Sequence, residues 1–138
     1  FMKNLIYPQT EEHIDINALA REVIGAAIHV HKTLGLGFSK ETYKKCLIFE
    51  LEEMGIYYQT DVEFPLYYKN RLVDTGVKID LLIENLIMID IHTSENNTEE
   101  RIFYVLNHLK KSNKKLGLIF NFNTKLLRGS SIRRVING

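Results

Sequence analysis

What the chain lacks narrows the field first. Its 138 residues include one cysteine, two prolines and no tryptophan, and no long apolar run. Cys46 alone cannot close an internal disulfide, which excludes a disulfide-framed scaffold; set in an apolar helical pattern, it reads as a buried thiol of a reducing compartment. No segment reaches the ~18 apolar residues of a membrane span, and Met2-Lys-Asn-Leu-Ile-Tyr-Pro8 has no apolar core of signal-peptide length. A cytoplasmic chain with no membrane partner is expected. Eight glycines beside the two prolines, with 45% hydrophobic and 25% charged residues, give no sign of extensive disorder.

Neither charge sign dominates, the net charge being +1, but the charges are segregated. From Asn107 to Gly138 the chain carries Lys110, Lys111, Lys114, Lys115, Lys125, Arg128, Arg133 and Arg134 and no acid, whereas Thr60 to Glu100 is acid-rich. Two readings of the basic third stay open: a solvated face, or contact with nucleic acid through Lys110, Lys111, Lys114 and Lys115. The length suits one domain, taken as residues 15–138 behind an N-terminal extension, 1–14.

Asp15 is a good cap for a helix over 16–34, with Leu19, Val23, Val30 and Leu34 on one stripe and Gly35 at its end. Ser39 can cap a second helix, whose inward residues are Tyr43, Cys46, Leu47, Leu51 and Met54 before Gly55 stops it. The period then changes to two. Residues 56–65 and 66–69 read as strands, with Lys69-Asn-Arg71 and Asp74-Thr-Gly76 as turn signals, followed by a hairpin over 77–92. A third helix at 99–111, a buried strand at 116–122 and a short strand at 132–136 complete the order α-α-β-β-β-β-α-β-β, an α/β (α+β) domain with a mixed sheet.

The hairpin Val77-Lys-Ile-Asp-Leu-Leu-Ile-Glu-Asn-Leu-Ile-Met-Ile-Asp-Ile-His92 carries charges among isoleucines and leucines. Side chains alternate faces along a strand, so Val77, Ile79, Leu81 and Ile83 share a face with Ile87, Ile89 and Ile91 if the turn lies over Glu84-Asn-Leu86. That register sets Asp80 opposite Asp90 and Lys78 opposite His92. Opposed carboxylates lie on the order of 5 Å apart at Cβ and repel, so a compensating charge is expected: a divalent metal on Asp80 and Asp90, or Lys78 and His92 themselves.

These residues resemble a family. From about Leu19 to Asn137 the chain resembles the small GxxExxY proteins of the PD-(D/E)xK nuclease superfamily, through Ile24-Gly-Ala-Ala-Ile-His-Val-His-Lys-Thr-Leu-Gly35, Gly37-Phe-Ser-Lys-Glu-Thr-Tyr43, Lys78-Ile-Asp-Leu-Leu-Ile83, Leu106-Asn-His-Leu-Lys110 and Lys115-Leu-Gly-Leu-Ile-Phe-Asn-Phe122. The resemblance implies a restriction-endonuclease-like core and a Mg²⁺-dependent phosphodiesterase site made of a helix glutamate, a hairpin Asp and a Glu-x-Lys. The hairpin Asp falls on Asp80. The Glu-x-Lys falls on Asp90-Ile-His92, the helix glutamate on Lys40 with Glu41 beside it, and a glutamine frequent on the following helix on Tyr104.

Each departure works against metal catalysis. Asp for Glu at position 90 shortens the carboxylate by about 1.5 Å, too much for an octahedral Mg²⁺ site. His92 supplies no permanent cation at neutral pH, and moving the acid from position 40 to 41 rotates it by about 100° around the helix. A catalytically degenerate nuclease-fold protein is therefore expected, a binding or assembly module needing no cofactor. The alternative is a Mg²⁺- or Mn²⁺-dependent nuclease with Asp80 and Asp90 as ligands, His92 in the altered motif and Lys78 as the replacement cation.

Other residues receive plainer readings. His29 and His31 point about 200° apart on their helix, a poor metal pair, and His31 reads as a packing residue with a polar contact. His13 and His108 have no partner visible in the sequence. Tyr57, Tyr58, Tyr67 and Tyr68 read as half-buried sheet residues rather than a base-stacking platform. The chain's small size and sheet edges make a homodimer plausible.

Overall fold

The computed structural model describes residues 14–94 and 98–138; His13 and the expected N-terminal extension, except Ile14, lie outside the described residues. Helix α1 (Ile16–Leu34) starts where the Asp15 carboxylate accepts the N–H groups of Asn17 and Ala18, satisfying donors that a helix start otherwise leaves open. Gly35 ends it at φ 79°, a left-handed conformation that suits glycine. Helix α2 (Lys40–Glu53) is capped in the same way by Ser39, whose hydroxyl accepts from Thr42.

Strands β1 (Tyr58–Tyr68), β2 (Arg71–Ile83) and β3 (Ile87–His92) are antiparallel neighbours. Helix α3 (Thr98–Ser112) then crosses over so that β4 (Leu116–Asn121) lies parallel to β3, and a 3-10 turn leads to β5 (Ile132–Ile136), antiparallel to β4. The five-stranded sheet has the order β1-β2-β3-β4-β5. One buried cluster, including Val23, Leu47, Leu51, Leu81, Ile89 and Phe120, joins α1 and α2 to one face. A smaller one, with Leu82, Met88, Val105, Leu109 and Ile119, joins α3 to the other. Burying a side chain of this size contributes roughly 1.5–3 kcal/mol against exposure.

The mixed sheet flanked by helices is the expected architecture, with one strand fewer than expected. The two strands placed over 56–69 are a single β1. Its Pro65 is tolerated because β1 is a sheet edge, where a missing N–H costs no ladder bond on the open side. The turn expected at Asp74-Thr-Gly76 does not form either: β2 runs through it, and the pairing with β1 shifts register around Phe64–Tyr67 instead. Met54, expected inside, caps α2 and is 41% exposed; buried Lys44 takes the inward position Cys46 was expected to share with Tyr43 and Leu47, and Cys46 is only half-buried.

Candidate functional site

The turn at Glu84–Asn85, both with positive φ, sets the expected hairpin register: Leu81, Leu82 and Ile83 pair with Ile89, Met88 and Ile87. The ladder ends there. At the next position Asp80 and Asp90 would face each other, but the strands part, and Asp80 Oδ2 accepts the backbone N–H of Ile91 at 2.8 Å. A carboxylate thus replaces a ladder carbonyl.

The alternation of faces also breaks at this point. Ile79 joins Leu82 and Met88 in the α3-side cluster, whereas Leu81 and Ile83 pack under α1 and α2. The shared face expected for Ile79 and Leu81 is therefore corrected. The neighbouring strand shows the cause: Asp61 has φ 50°, and the β1–β2 rungs on either side of it skip the Asp61–Asp80 position. Lys78 is consequently not a rung partner of His92. It pairs with Glu63 on β1, its carbonyl accepts the Tyr104 hydroxyl at 3.1 Å, and its ammonium helps lower the Asp61 pKa.

Three cations from the helices close the three aspartates gathered here. Lys40, in the first turn of α2, places its Nζ 2.8 Å from Asp80 Oδ1. One turn later on the same helix face, buried Lys44 lies 2.7 Å from Asp61 Oδ1. From α3, Arg101 grips Asp90 with both arms of its fork, Nε to Oδ2 at 3.0 Å and Nη2 to Oδ1. Asp90 is 2% exposed, and that bidentate contact brings it a counter-charge. Tyr104 packs its ring 4.3 Å from the guanidinium carbon of Arg101.

The electrostatics follow from these contacts. The hydrogen bond to Asp90 raises the Arg101 pKa above its ordinary value, despite opposition from burial. The hydrogen bond from Lys44 holds Asp61 below the usual carboxylate range. Burial pushes the His92 ring below the usual histidine value, with Arg101 and Lys40 acting in the same direction against Asp90 and Asp80. His92 Nε2 is buried without a hydrogen-bond partner. Its ring borders a cleft of about 450 Å³ shared with Lys40, Thr93, Ser94, Glu100 and Arg101, at the end of β3.

A divalent metal does not fit this donor set. Both Asp80 oxygens and both Asp90 oxygens are already engaged, by Lys40, the Ile91 N–H and Arg101. Glu41, the only acid beside position 40, is exposed on α2. Among the described residues no group of three or more His, Cys, Asp or Glu side chains is placed to hold a metal ion. Mg²⁺ demands near-octahedral oxygen ligands and would have to displace an ammonium or a guanidinium.

Of the residues singled out in the sequence, Asp80, Asp90 and His92 therefore share this end of the sheet, while Lys78 pairs with Glu63 on β1. The sequence reading missed Lys44, Arg101 and Asp61. Lys40 was noted as a substitution rather than as the compensating charge. A lysine pair spaced i, i+4 opposite a strand aspartate was the available signal. Elsewhere, His31 packs as expected, 6.3 Å from the Tyr43 ring centroid and 6.0 Å from that of Phe122, but its Nε2 has no hydrogen-bond partner, contrary to the expected polar contact. His108 finds the Tyr104 carbonyl, at 2.6 Å. Tyr67 and Tyr68 are 62% and 64% exposed, not half-buried.

A mixed sheet with helices on both faces, and acids gathered where a hairpin strand splays, defines a nuclease-like core. A family model described as the PD-(D/E)XK nuclease superfamily matches residues 17–135. The chain belongs to this superfamily. Neither a curated protein nor a solved structure gives a match. Among the described residues no helix is long and apolar enough to cross a membrane.

Proposed function

We propose that this chain is a non-cleaving, GxxExxY-type member of the superfamily, a binding or assembly module whose ligand class is nucleic acid. The observation that carries the reading is the closure of Asp80 by Lys40 and of Asp90 by Arg101. An ammonium at the helix position where the resemblance expects a glutamate supplies internally the positive charge that a metal would bring. The two carboxylates and their two cations then sum to zero charge, which weakens the negative field that would draw a divalent ion. Support for nucleic acid comes from the basic segment containing Lys110, Lys111, Lys114 and Lys115, and from the exposed Tyr67 and Tyr68 that lead into the Lys69–Asn70 turn.

The test is incubation of the pure protein with single- and double-stranded DNA and RNA in Mg²⁺ or Mn²⁺, beside Asp80→Ala. No cleavage by either protein, together with salt-dependent binding by both, is expected. Cleavage that Asp80→Ala abolishes would overturn the proposal in favour of a metal-dependent nuclease with altered ligands.

A further inference from the structure

The geometry points to a phosphate-binding pocket between the C-terminal end of α1 and the loop after β4, separate from the carboxylate site. A cavity of about 470 Å³ there is bordered by Lys32, Lys125 and Arg128, with His31 and Gly35 in its wall and, among the described residues, no carboxylate lining it. The three cations come from two distant stretches of chain. Left unmatched, such charges repel one another, and a multiply charged anion is what would reconcile them.

The inner wall is closed by a buried ring. His31 is 3% exposed, and its Nε2 is buried with no hydrogen-bond partner. Buried polar groups are rarely left unpaired, since that costs the desolvation of the group without return. Here the ring is held in place by Tyr43 and Phe122, which stack on each other at 4.4 Å. The Gly35 carbonyl, which would oppose an anion, is already engaged by the Tyr43 hydroxyl at 2.6 Å.

The basic loop is shaped locally. Leu127 is buried as its anchor. The Thr124 hydroxyl donates to the Leu126 carbonyl at 3.1 Å, and Ser131 Oγ accepts the Arg128 N–H while donating to the Arg128 carbonyl. Lys125 and Arg128 are thus set on a fastened segment instead of a free tail, which reduces the ordering needed to bind a ligand. Two ammonium groups and one guanidinium fork match a tetrahedral dianion better than a single carboxylate, which one Arg would satisfy. The pocket takes a phosphate group, either a free phosphate or a phosphate of a nucleic-acid strand. Its existence does not depend on the function proposed above.

The test is a ¹H–¹⁵N NMR titration of the full chain with inorganic phosphate, with sodium acetate at matched ionic strength, and with a short 5′-phosphorylated single-stranded oligonucleotide. Phosphate is expected to shift the amide signals of His31, Lys32, Lys125 and Arg128 in a saturable way, and acetate is not. Lys125→Glu and Arg128→Glu, both exposed and outside the core, should each weaken phosphate about tenfold or more, with unchanged thermal unfolding. Saturation by the oligonucleotide at the same signals assigns the phosphate to a strand, and saturation by inorganic phosphate alone assigns it to a free ion; either supports the pocket. Equal shifts with acetate, no saturable shift, or affinity unchanged in both charge reversals would overturn it.

Discussion

Lys40 Nζ lies 2.8 Å from Asp80 Oδ1, while the other oxygen of that carboxylate, Oδ2, accepts the Ile91 N–H at 2.8 Å. One aspartate therefore ties the start of α2 to the point where β2 and β3 separate. Lys40 is 41% exposed at its side chain and Asp80 only 10%, so the pair lies between a surface ion pair, worth roughly 0–1 kcal/mol, and a buried one, whose breaking costs roughly 3–5 kcal/mol. Lys40→Met should lower unfolding free energy by about 1–2 kcal/mol in urea titrations, with an unchanged m-value. An effect below a few tenths would show that the pair is not a structural tie.

Arg101 and Asp90 make the deeper pair. Arg101→Met leaves a 2%-exposed carboxylate without its fork and should cost about 3 kcal/mol, with Asp90→Asn costing less because the amide remains a hydrogen-bond partner for the guanidinium. The double variant should be less destabilised than the sum of the singles. Additive losses in a double-mutant cycle would mean that the two residues do not act as a unit.

Much of this was legible in the sequence, for identifiable reasons. Asp15 and Ser39 marked the helix starts, because capping chemistry is local. The isoleucine alternation fixed the β2–β3 register where both strands are buried, at Leu81–Ile83. It failed at Ile79 and Lys78, because β2 changes faces at Asp80, opposite the left-handed Asp61 of β1, a strand that period-two arguments on the β2–β3 hairpin do not include. The cations that close the site were not legible. Lys40, Lys44 and Arg101 come from two helices, and which charge reaches which is decided by packing across the sheet, not by spacing along the chain.

Tyr58 gives the fold an alkaline limit. Its hydroxyl donates to Glu52 Oε2 at 2.5 Å, tying the last turn of α2 to the start of β1. Burial, together with the Glu52 carboxylate, pushes its pKa from 10.0 to about 12. The unfolded chain loses this proton first, so stability from the contact is present below pH 10 and is lost as pH rises from about 10 to about 12. Tyr58→Phe should flatten stability across that window in denaturation curves taken at successive pH values. An unchanged slope would assign the alkaline loss to other groups.

Gly117 is where α3 comes closest to β4. A Cβ added there would meet Val105 Cγ1 at 2.5 Å and Leu109 Cδ1 at 3.6 Å. Val105 is β-branched and has little rotamer freedom in a helix, so the helix itself must move. Gly117→Ala should cost roughly 1–3 kcal/mol, as overpacking does. The compensating change Gly117→Ala with Val105→Ala should recover part of that loss in thermal unfolding, and no recovery would place the strain elsewhere.

The basic segment read from the sequence is divided by the fold. Lys110 and Lys111 end α3, and Lys114 and Lys115 lead into β4, so these four lie where β3 and β4 begin. The Asp90–Arg101 pair and His92 lie where β3 ends. Nucleic acid held through the four lysines would therefore bind away from the carboxylate cluster, and its affinity should be insensitive to Lys40→Met and Asp80→Ala. Reversing the four charges should weaken binding and reduce the slope of log K against log salt by about 0.9 for each phosphate no longer neutralised. An unchanged affinity and salt slope would reduce these lysines to a solvated face, whatever the outcome at Lys125 and Arg128.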